Sequence, residues 1–366
     1  HGTGDLTMRR RLLFALPALA LLGGCDMVVL PPSGYVAVQQ RDMLVNATLL
    51  MLLVIVPVMG LTIFFAWRYS AKRKSNYDPD WHHSTSLELV VWAAPLLIII
   101  CLGGMTWVGT HLLDPFRPLT HIGERRPVPE NVAPLDVEVV ALDWKWLFIY
   151  PEYGIATVNE AAAPVDRPIH FHLTSQSVMN AFYVPALAGM IYAMPGMESQ
   201  LHAVLNLRGD YEGFSSNYSG AGFSGMRFRF HGFEPSDFDA WVEKVRASGE
   251  TLDRPGYLTL AERSENSPPR YFGAVAPDIF RRAVNRCMEE GRMCIDEMMD
   301  LDGHGGTGHA GTINIIPAGN RQASAIGTRP FHVAAFCTAA ESIEQFGRDA
   351  LVQLTPPPAL GASGKK

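Results

Sequence analysis

Two long apolar runs dominate the hydropathy pattern near the N-terminal end of the chain. Residues 46–67 read NATLLMLLVIVPVMGLTIFFAW without a charge, and residues 87–108 read LELVVWAAPLLIIICLGGMTWV with Glu88 as the one charged side chain. At a rise of about 1.5 Å per residue, each run as a helix would span about 30 Å, the thickness of a bilayer's hydrocarbon core. We therefore predict two transmembrane helices rather than two buried helices of a soluble domain.

Shorter runs with strand-like alternation follow, within residues 111–232. The segments LDVEVVALDWKWLFIY, RPIHFHL, SQLHAVLNL and MRFRFHG are rich in β-branched and aromatic residues, and proline and glycine turn signals separate them. In the last segment Met226, Phe228 and Phe230 alternate with two arginines, as in a strand with one buried face. Several short strands at this spacing predict an all-β sandwich.

A change of periodicity predicts a helical region over residues 233–300. Residues 235–246 read PSDFDAWVEKVR, which is an amphipathic helical pattern, and residues 277–288 also favour a helix. Residues 301–366 show little periodicity, and we expect them to form a flexible tail.

Two residue pairs in this C-terminal part leave alternatives open. Cys287 and Cys294 would lie about 10 Å apart on one continuous helix, too far for a disulfide, so a bond would need a break that Gly291 could supply. The spacing leaves both outcomes open. His304 and His309 lie in HGGTGH and could bind stray metal, but the glycine-rich context favours a flexible segment.

Composition and the N-terminus narrow the class of protein. The net charge of −6 over 366 residues provides no broad basic surface, which argues against a nucleic-acid-binding protein. Residues 1–24 carry three arginines and then a short apolar stretch, the pattern of a secretory signal peptide that is removed. The run LLGGC, ending at Cys25, resembles the lipobox of bacterial lipoproteins, which implies a lipidated cysteine. A free or buried cysteine is the alternative.

Charge bias sets the direction of the membrane segments. Arg68 and the KRK run at residues 72–74 lie between the two apolar runs, and the positive-inside rule places this connection in the cytoplasm. Residues 25–110 would then form a lipid-anchored membrane hairpin, with the following domain in the periplasm. Asp26, next to the cysteine, resembles a signal that retains lipoproteins in the inner membrane. We expect a multi-pass protein of a bacterial inner membrane.

Glu88, at the start of the second apolar run, has two interpretations. Thr85 to Glu88 fit a capping box, in which Glu88 would reach back to the Thr85 amide, and the helix dipole favours a negative charge there. The alternative is a carboxylate that collects protons at the cytoplasmic face. The spacing alone favours the cap.

The predicted sandwich lacks the donors of copper electron transfer. Such sites need cysteine thiolate, and no cysteine stands between Cys101 and Cys287. His170 and His172 lie two apart on a predicted strand and face the same way. They could bind a metal, but we interpret them as ordinary strand residues beside the core or surface. We therefore assign no metal site to this chain.

The order of these elements resembles subunit II of the haem–copper respiratory oxidases. Two membrane helices are followed by DWKWLFIYPE at 143–152 and by VMNAFYVPALAGMIYAMPGM at 178–197. The similarity covers residues 40–232 and continues weakly to about residue 299. It implies a two-helix transmembrane hairpin, then an all-β cupredoxin-like sandwich, then a C-terminal helical extension.

In the branch of this family that oxidises cytochrome c, the sandwich holds a dinuclear copper centre. Its ligands are two histidines, two cysteines, a glutamate backbone carbonyl and a methionine. The resemblance implies that the equivalent positions in this chain are Asn180, Ser215, Asn217, Ser219, Phe223 and Met226. The methionine alone is retained, and a single thioether is too weak a ligand to hold copper.

The missing ligands match the branch that oxidises quinol. Residues 218–226 read YSGAGFSGM and resemble the loop SYSGPGFSGM of cytochrome bo-type ubiquinol oxidases. A soluble cytochrome delivers electrons above the membrane and needs a relay there. Ubiquinol dissolves in the bilayer and can pass electrons directly to a haem in a partner subunit. The resemblance therefore implies a sandwich without copper and no role for cytochrome c.

The family also implies what surrounds the chain and what it does. The complex would oxidise ubiquinol, reduce oxygen to water and move protons outward. This chain would be a non-redox structural subunit without cofactors, beside subunits I, III and IV, with haems and copper in subunit I. A glutamate at the start of the second membrane helix lies at the mouth of the family's K-type proton pathway, and Glu88 matches that place. Trp144 matches a tryptophan that lies near the cytochrome c entry point in copper-containing relatives, and without copper a packing role at the interface is expected.

Two other functions are consistent with parts of the sequence. One is a stand-alone membrane lipoprotein whose cupredoxin-like domain binds a partner or helps assembly. The other is a cytochrome c oxidase subunit with a decayed site, which the serine-rich, quinol-type loop argues against. The sequence contains no haem-attachment motif, no nucleotide-binding loop and no catalytic triad that we can assemble.

Overall fold

Two long helices precede the sandwich in the computed structural model, which describes residues 29–70 and 83–303. Helix α1 is Tyr35–Arg68 and helix α2 is Thr85–Leu112. Both are long and apolar enough to cross a membrane, and their apolar side chains are exposed in the isolated chain. Cys25, the KRK run at 72–74 and the two tail histidines lie outside the described residues.

Both helices exceed the predicted spans of 46–67 and 87–108. The largest correction is at the start of α1, where the polar segment QQRD precedes the apolar run. This first part is helical because it packs on the sandwich, where Val36 and Ala37 are buried. The amides of Ser33 and Gly34 both donate to the Ala186 carbonyl at 2.9 Å. The sandwich thus fixes the outer end of the helix beyond the apolar span.

Within the described residues, fifteen short strands follow α2, and four more helices lie after or between the last of them. In chain order they are β1 His121–Gly123, β2 Arg126–Pro127, β3 Leu135–Leu142, β4 Lys145–Tyr150, β5 Ile155–Val158, β6 Glu160–Pro164, β7 Pro168–Ser175, β8 Asn180–Tyr183, β9 Ile191–Ala193, β10 Ser199–Val204, β11 Gly209–Ser215, β12 Arg227–Phe233, β13 Thr251–Leu252, β14 Arg270–Phe272 and β15 Ala274–Val275. Four helices follow strand β12 in the described chain: α3 Pro235–Arg246, α4 Arg254–Ala261, α5 Ile279–Val284 and α6 Ile295–Gly303.

Two sheets form the sandwich and confirm the predicted fold class. The first has the order β10-β7-β3-β4-β5-β14 and the second the order β6-β12-β11-β8-β9. Strands β3 and β7 are parallel, whereas β7 and β10 are antiparallel. The predicted alternation in β12 is present: Met226, Phe228 and Phe230 are buried, and the arginines between them are exposed.

Aromatic side chains from both sheets fill the core. Trp146 meets Phe182 edge-to-face at 5.4 Å between ring centroids, and Phe182 stacks on Phe228 at 5.3 Å. Gly213 faces the Phe228 ring, and a Cβ there would lie 2.0 Å from the ring's Cζ. The Tyr150 hydroxyl donates to the Ala162 carbonyl at 3.0 Å and accepts from its amide at 2.9 Å, which bridges the two sheets.

The sandwich does not end at residue 232, so the predicted domain boundary is wrong. Strand β14, within the region 233–300 that was expected to be helical, pairs with β5 and completes the first sheet. Tyr271 of β14 donates from its hydroxyl to Glu160 Oε2 at 2.8 Å, and Trp241 of α3 donates to Glu160 Oε1 at 3.0 Å. An exposed edge strand needs a cover, and β14 supplies one for β5.

Residues 281–303 form a separate compact unit in the described chain. Cys287 and Cys294 form a disulfide with their Cα atoms 4.7 Å apart. The chain between them is not helical, and Gly291 has a φ of +82°. The predicted helix over 277–288 is correspondingly shortened to α5. The bond left open by the spacing is therefore made through the break at the glycine.

Candidate functional site

The positions expected for copper ligands lie together where β11 ends and β8 begins. Asn180 and Ser215 are both buried, and the Ser215 hydroxyl lies 3.2 Å from Asn180 Oδ1. The same hydroxyl lies 3.3 Å from the Asn217 carbonyl and accepts from the Ala181 amide at 3.4 Å. Side chains at the places of a histidine and a cysteine thus satisfy each other.

Two amide side chains fasten the loop to the segment before β8. Asn217 Nδ2 donates to the Met179 carbonyl at 3.0 Å, and Asn180 Nδ2 donates to the Val178 carbonyl at 3.1 Å. Each bond satisfies a backbone carbonyl in a turn, where a metal would otherwise hold the loop. Hydrogen bonds between neutral groups therefore maintain the loop conformation.

Met226 and Phe223 serve packing. Met226 is 1% exposed and belongs to the aromatic core, while its carbonyl accepts from the Ser215 amide at 3.2 Å. Phe223 begins a short 3₁₀ turn, Phe223–Gly225, and its ring contacts Tyr218 at 5.6 Å between centroids. The Met226 thioether, which is the one donor retained from the copper pattern, is thus buried in the core.

Trp144 closes the loop from the side. It has a φ of +66° in the turn between β3 and β4, and its indole nitrogen donates to the Ser219 carbonyl at 3.1 Å. The ring packs on Gly222, where a Cβ would lie 2.4 Å from Trp144 Cδ2. These contacts are those of a packing residue, as the sequence analysis expected.

The donor set does not fit a copper centre. Thiolates and imidazoles are the ligands of copper electron-transfer sites. The loop offers two hydroxyls, two amides, a phenyl ring and a core thioether at the equivalent positions. At the centre, the Ser215 hydroxyl is already hydrogen-bonded to Asn180 Oδ1 and lies within hydrogen-bond distance of the Asn217 backbone carbonyl. No electron-transfer step through copper is therefore derived for this sandwich.

Known proteins resemble the chain over most of its length. The family model for the periplasmic domain of cytochrome c oxidase subunit II matches residues 153–231, and that for the COX aromatic-rich motif matches residues 246–291. Cytochrome bo(3) ubiquinol oxidase subunit 2 of Pseudomonas aeruginosa is 48% identical, covering 75% of this chain and 80% of that protein. The Pseudomonas putida protein of the same description is 47% identical, covering 80% and 92%. Ubiquinol oxidase subunit 2 of Acetobacter aceti is 47% identical, covering 74% and 86%.

The chain belongs to the ubiquinol oxidase subunit II family. The resemblance drawn from the sequence motifs is thereby confirmed, as is the two-helix, cupredoxin-like fold. The relatives are named for a quinol-oxidising enzyme, in agreement with a loop that lacks copper ligands. The roles of individual residues stay predictions.

Glu88 of this family member lies in the first turn of α2, but not in a capping box. Ser84 is the N-cap residue and makes no side-chain cap bond, so the predicted box from Thr85 to Glu88 is wrong. With Ser84 as the N-cap, a capping box would need its acid at the third helical residue, and Glu88 is the fourth. Its Oε1 lies 2.8 Å from His83 Nδ1, and both side chains are more than half exposed. Such exposed pairs contribute little to stability.

His170 and His172 were noted in the sequence, but the polar cluster to which they belong, on the outer face of the first sheet, was missed. His170 and His172 of β7 lie beside Asp136 and Glu138 of β3 on one side, and beside His202 of β10 on the other. Burial lowers the pKa of His202 to about 4, aided by the neighbouring imidazoles, and burial raises the pKa of Glu138 to about 7. The signal was available: DVE, HFH and ESQLH each repeat a titratable residue at even spacing.

Proposed function

We propose that this chain is a non-redox subunit II of a proton-translocating ubiquinol oxidase, which oxidises ubiquinol and reduces oxygen to water. The observation that carries the proposal is the hydrogen bond between Ser215 and Asn180. These residues stand where the cytochrome c-oxidising branch needs a cysteine and a histidine. Electrons then bypass the sandwich and pass from ubiquinol in the bilayer directly to subunit I.

The catalytic centres belong to a partner in this proposal. Two helices are too few to house haems, a copper ion and proton paths, so these lie in subunit I. The apolar side chains of α1 and α2 are exposed along their length in the isolated chain. Lipid and other subunits cover such faces in a membrane. We assign those faces to subunits I, III and IV and to lipid.

The chain is a lipoprotein of a bacterial inner membrane in this proposal. The signal peptide over residues 1–24 is removed, Cys25 carries the lipid, and the sandwich lies in the periplasm. The segment before α1 is bonded to the sandwich through the Ala186 carbonyl. A lipid at Cys25 is only a short segment away from that point, so the anchor and the sandwich are on the same side of the membrane.

Glu88 lies at the entrance of a proton pathway in this proposal. It lies on the cytoplasmic end of α2 under the positive-inside assignment. Its contact with His83 is exposed in the isolated chain, and in this proposal the carboxylate exchanges protons with cytoplasmic water. Ionisable side chains within membrane-spanning helices are rare, and carboxylates among them often belong to proton relays.

Native purification through a tag on this chain tests the proposal. We expect haem-containing subunits to co-purify, and the complex to consume oxygen when ubiquinol is added. A stand-alone lipoprotein would instead be recovered without haem absorption and without ubiquinol-dependent oxygen uptake. Either of those results would remove the assignment as an oxidase subunit.

Mass spectrometry of the purified chain tests the lipid anchor separately. We expect the mature N-terminus to begin at Cys25 with an added acyl mass, and a Cys25→Ser variant to retain its leader or to lack the acyl mass. A mature wild-type chain without acyl groups at Cys25 would contradict the anchor, and it would leave the oxidase assignment intact.

A further inference from the structure

The outer face of the first sheet concentrates metal-binding side chains on three adjacent strands. Asp136 of β3 is the register partner of His170 of β7, and His170 is the register partner of His202 of β10. His172 follows on the same face of β7, because residues two apart on a strand point to the same side. The three strands therefore bring a carboxylate and several imidazoles into one cluster.

Three donor groups in this cluster have the spacing of ligands to one ion. Asp136 Oδ1 lies 3.2 Å from His170 Nδ1 and 3.5 Å from His172 Nε2. Donor atoms from all three residues lie within 4.8 Å of one another. In a tetrahedral zinc site with bonds of about 2.0–2.2 Å, neighbouring donor atoms are roughly 3.3 Å apart. Little movement would be needed to bind an ion between them.

Neighbouring side chains orient the two imidazoles. Glu198 Oε1 lies 2.7 Å from His172 Nδ1, so the carboxylate favours the tautomer that leaves His172 Nε2 free to bind an ion. Carboxylates in this position are typical of zinc-binding histidines. The His202 ring stacks on His170 at 4.1 Å between centroids, with an angle of 11° between the planes.

The cluster is open to solvent on one side. His170 faces the carboxylate through Nδ1, so an ion would bind Nδ1 and the buried Nε2 would keep its proton. The imidazoles are 19% and 23% exposed, whereas Asp136 is 57% exposed, so the cluster is open to solvent on the carboxylate side. An ion could reach it without unfolding the sheet.

We propose that Asp136, His170 and His172 form a binding site for Zn²⁺, with Glu198 orienting His172. Two imidazoles and a carboxylate suit zinc, and three protein ligands leave a fourth position for water. This site is separate from the copper-type loop and takes no part in electron transfer. It revises our interpretation of His170 and His172 as ordinary strand residues, which considered those two alone.

Zinc titration of the full-length chain in detergent tests the site. All proteins carry H304A and H309A, because those tail histidines could bind stray metal. The parent is compared with H172A, with E198Q and with H231A, in isothermal titration with ZnCl₂. H231A is the matched control: His231 is also a strand histidine beside a carboxylate, with Nδ1 2.5 Å from Asp210 Oδ1, but it lacks a second imidazole.

We expect the parent and H231A to bind zinc in equimolar amounts with the same affinity, and H172A to lose saturable binding. E198Q should bind about 10–100-fold more weakly, the usual effect of losing a carboxylate behind a zinc-binding histidine. Co²⁺ in place of zinc should give visible absorption typical of a tetrahedral site in the parent and not in H172A.

Two results would overturn the proposal: no saturable zinc binding by the parent, or equal binding by the parent and H172A. Circular dichroism without zinc checks that H172A folds. If it does not, E198Q decides, because that substitution keeps all three ligands and the approximate side-chain volume; unchanged affinity in E198Q would then contradict the assigned geometry.

Discussion

The loop after β11 and the outer face of the first sheet belong to the same sandwich but differ in their metal-binding side chains. The loop occupies the sequence positions of the family's copper site, but it carries hydroxyls and amides, of which Ser215 bonds to Asn180 and Asn217 bonds to the Met179 carbonyl. The sheet face contains imidazoles and a carboxylate at ligand spacing, on strands that the family's copper positions do not include. The comparison teaches that this loop does not need metal ligands to fold, because hydrogen bonds between neutral groups and packing on a glycine can hold it in place.

Restoring the copper ligands of the loop should have the largest effect of the changes considered, on copper binding. The substitutions N180H, S215C, N217E, S219C and F223H, made together with H170A and H172A, should convert a loop without bound copper into one that binds a dinuclear copper centre. The backbone is already folded around Met226 and Trp144, so only donors are missing. Thiolate–copper absorption and copper content measure the result.

The control for this rebuilding carries N180H, N217E and F223H but keeps both serines. It should bind no copper with thiolate character, because copper electron-transfer sites need cysteine. If the fully substituted chain folds and still binds no copper, the loop conformation is not the cupredoxin one that the comparison assumes.

Filling the glycine beneath Trp144 should have the next largest effect. Gly222→Ala places a Cβ 2.4 Å from the indole ring, and overpacking of this kind costs about 1–3 kcal/mol. We expect a lower free energy of unfolding in denaturant titration. Gly60→Ala is the control, since a Cβ there meets nothing within 4 Å. Equal stability of the two variants would show that the loop is not packed as described.

The bond between Asn180 and Ser215 should have a smaller effect. A double-mutant cycle with N180A and S215A should give a coupling of about 0.5–1.5 kcal/mol, the usual net contribution of a hydrogen bond. The measurement is the free energy of unfolding of the four proteins. Additive single effects would mean that the two side chains do not hold the loop together.

The exposed pair of Glu88 and His83 should have the smallest effect on stability. Glu88→Gln should change the free energy of unfolding by at most about 0.5 kcal/mol, since exposed pairs contribute little. The same variant should lower ubiquinol-driven oxygen consumption by the complex, because Gln cannot carry a proton. His83→Ala, which removes the partner and keeps the carboxylate, should retain turnover; unchanged turnover in Glu88→Gln would exclude the proton role.

Local patterns were sufficient for most of the fold. The alternation around Phe228 and Phe230 predicted a strand with one buried face, and the apolar runs predicted both long helices. The start of α1 could not be predicted, because its polar first turns are helical through contacts of Val36 and Ala37 with a distant part of the chain. Strand β14 was missed because three residues are too few to show a periodicity. Its pairing with β5 is a long-range contact that the local sequence does not encode.

The candidate sites differ in the same way. The loop positions could be found one by one, because each occupies a fixed place in one of two short motifs, around Asn180 and over residues 215–226. The zinc cluster could not, because Asp136, His172 and Glu198 come from separate segments that only the strand order brings together. The capping box at Glu88 failed for a local reason: the helix uses Ser84 as its N-cap, and a shift of one residue removes the box.

The electron donor of the intact complex tests the central claim most directly. Oxygen consumption by the purified oxidase is measured with ubiquinol and, separately, with reduced cytochrome c. Because the loop around Asn180 and Ser215 offers no copper relay, we predict rapid turnover with ubiquinol and none above background with cytochrome c. Rapid turnover with cytochrome c would contradict the account, since electrons from a soluble protein would then cross the sandwich.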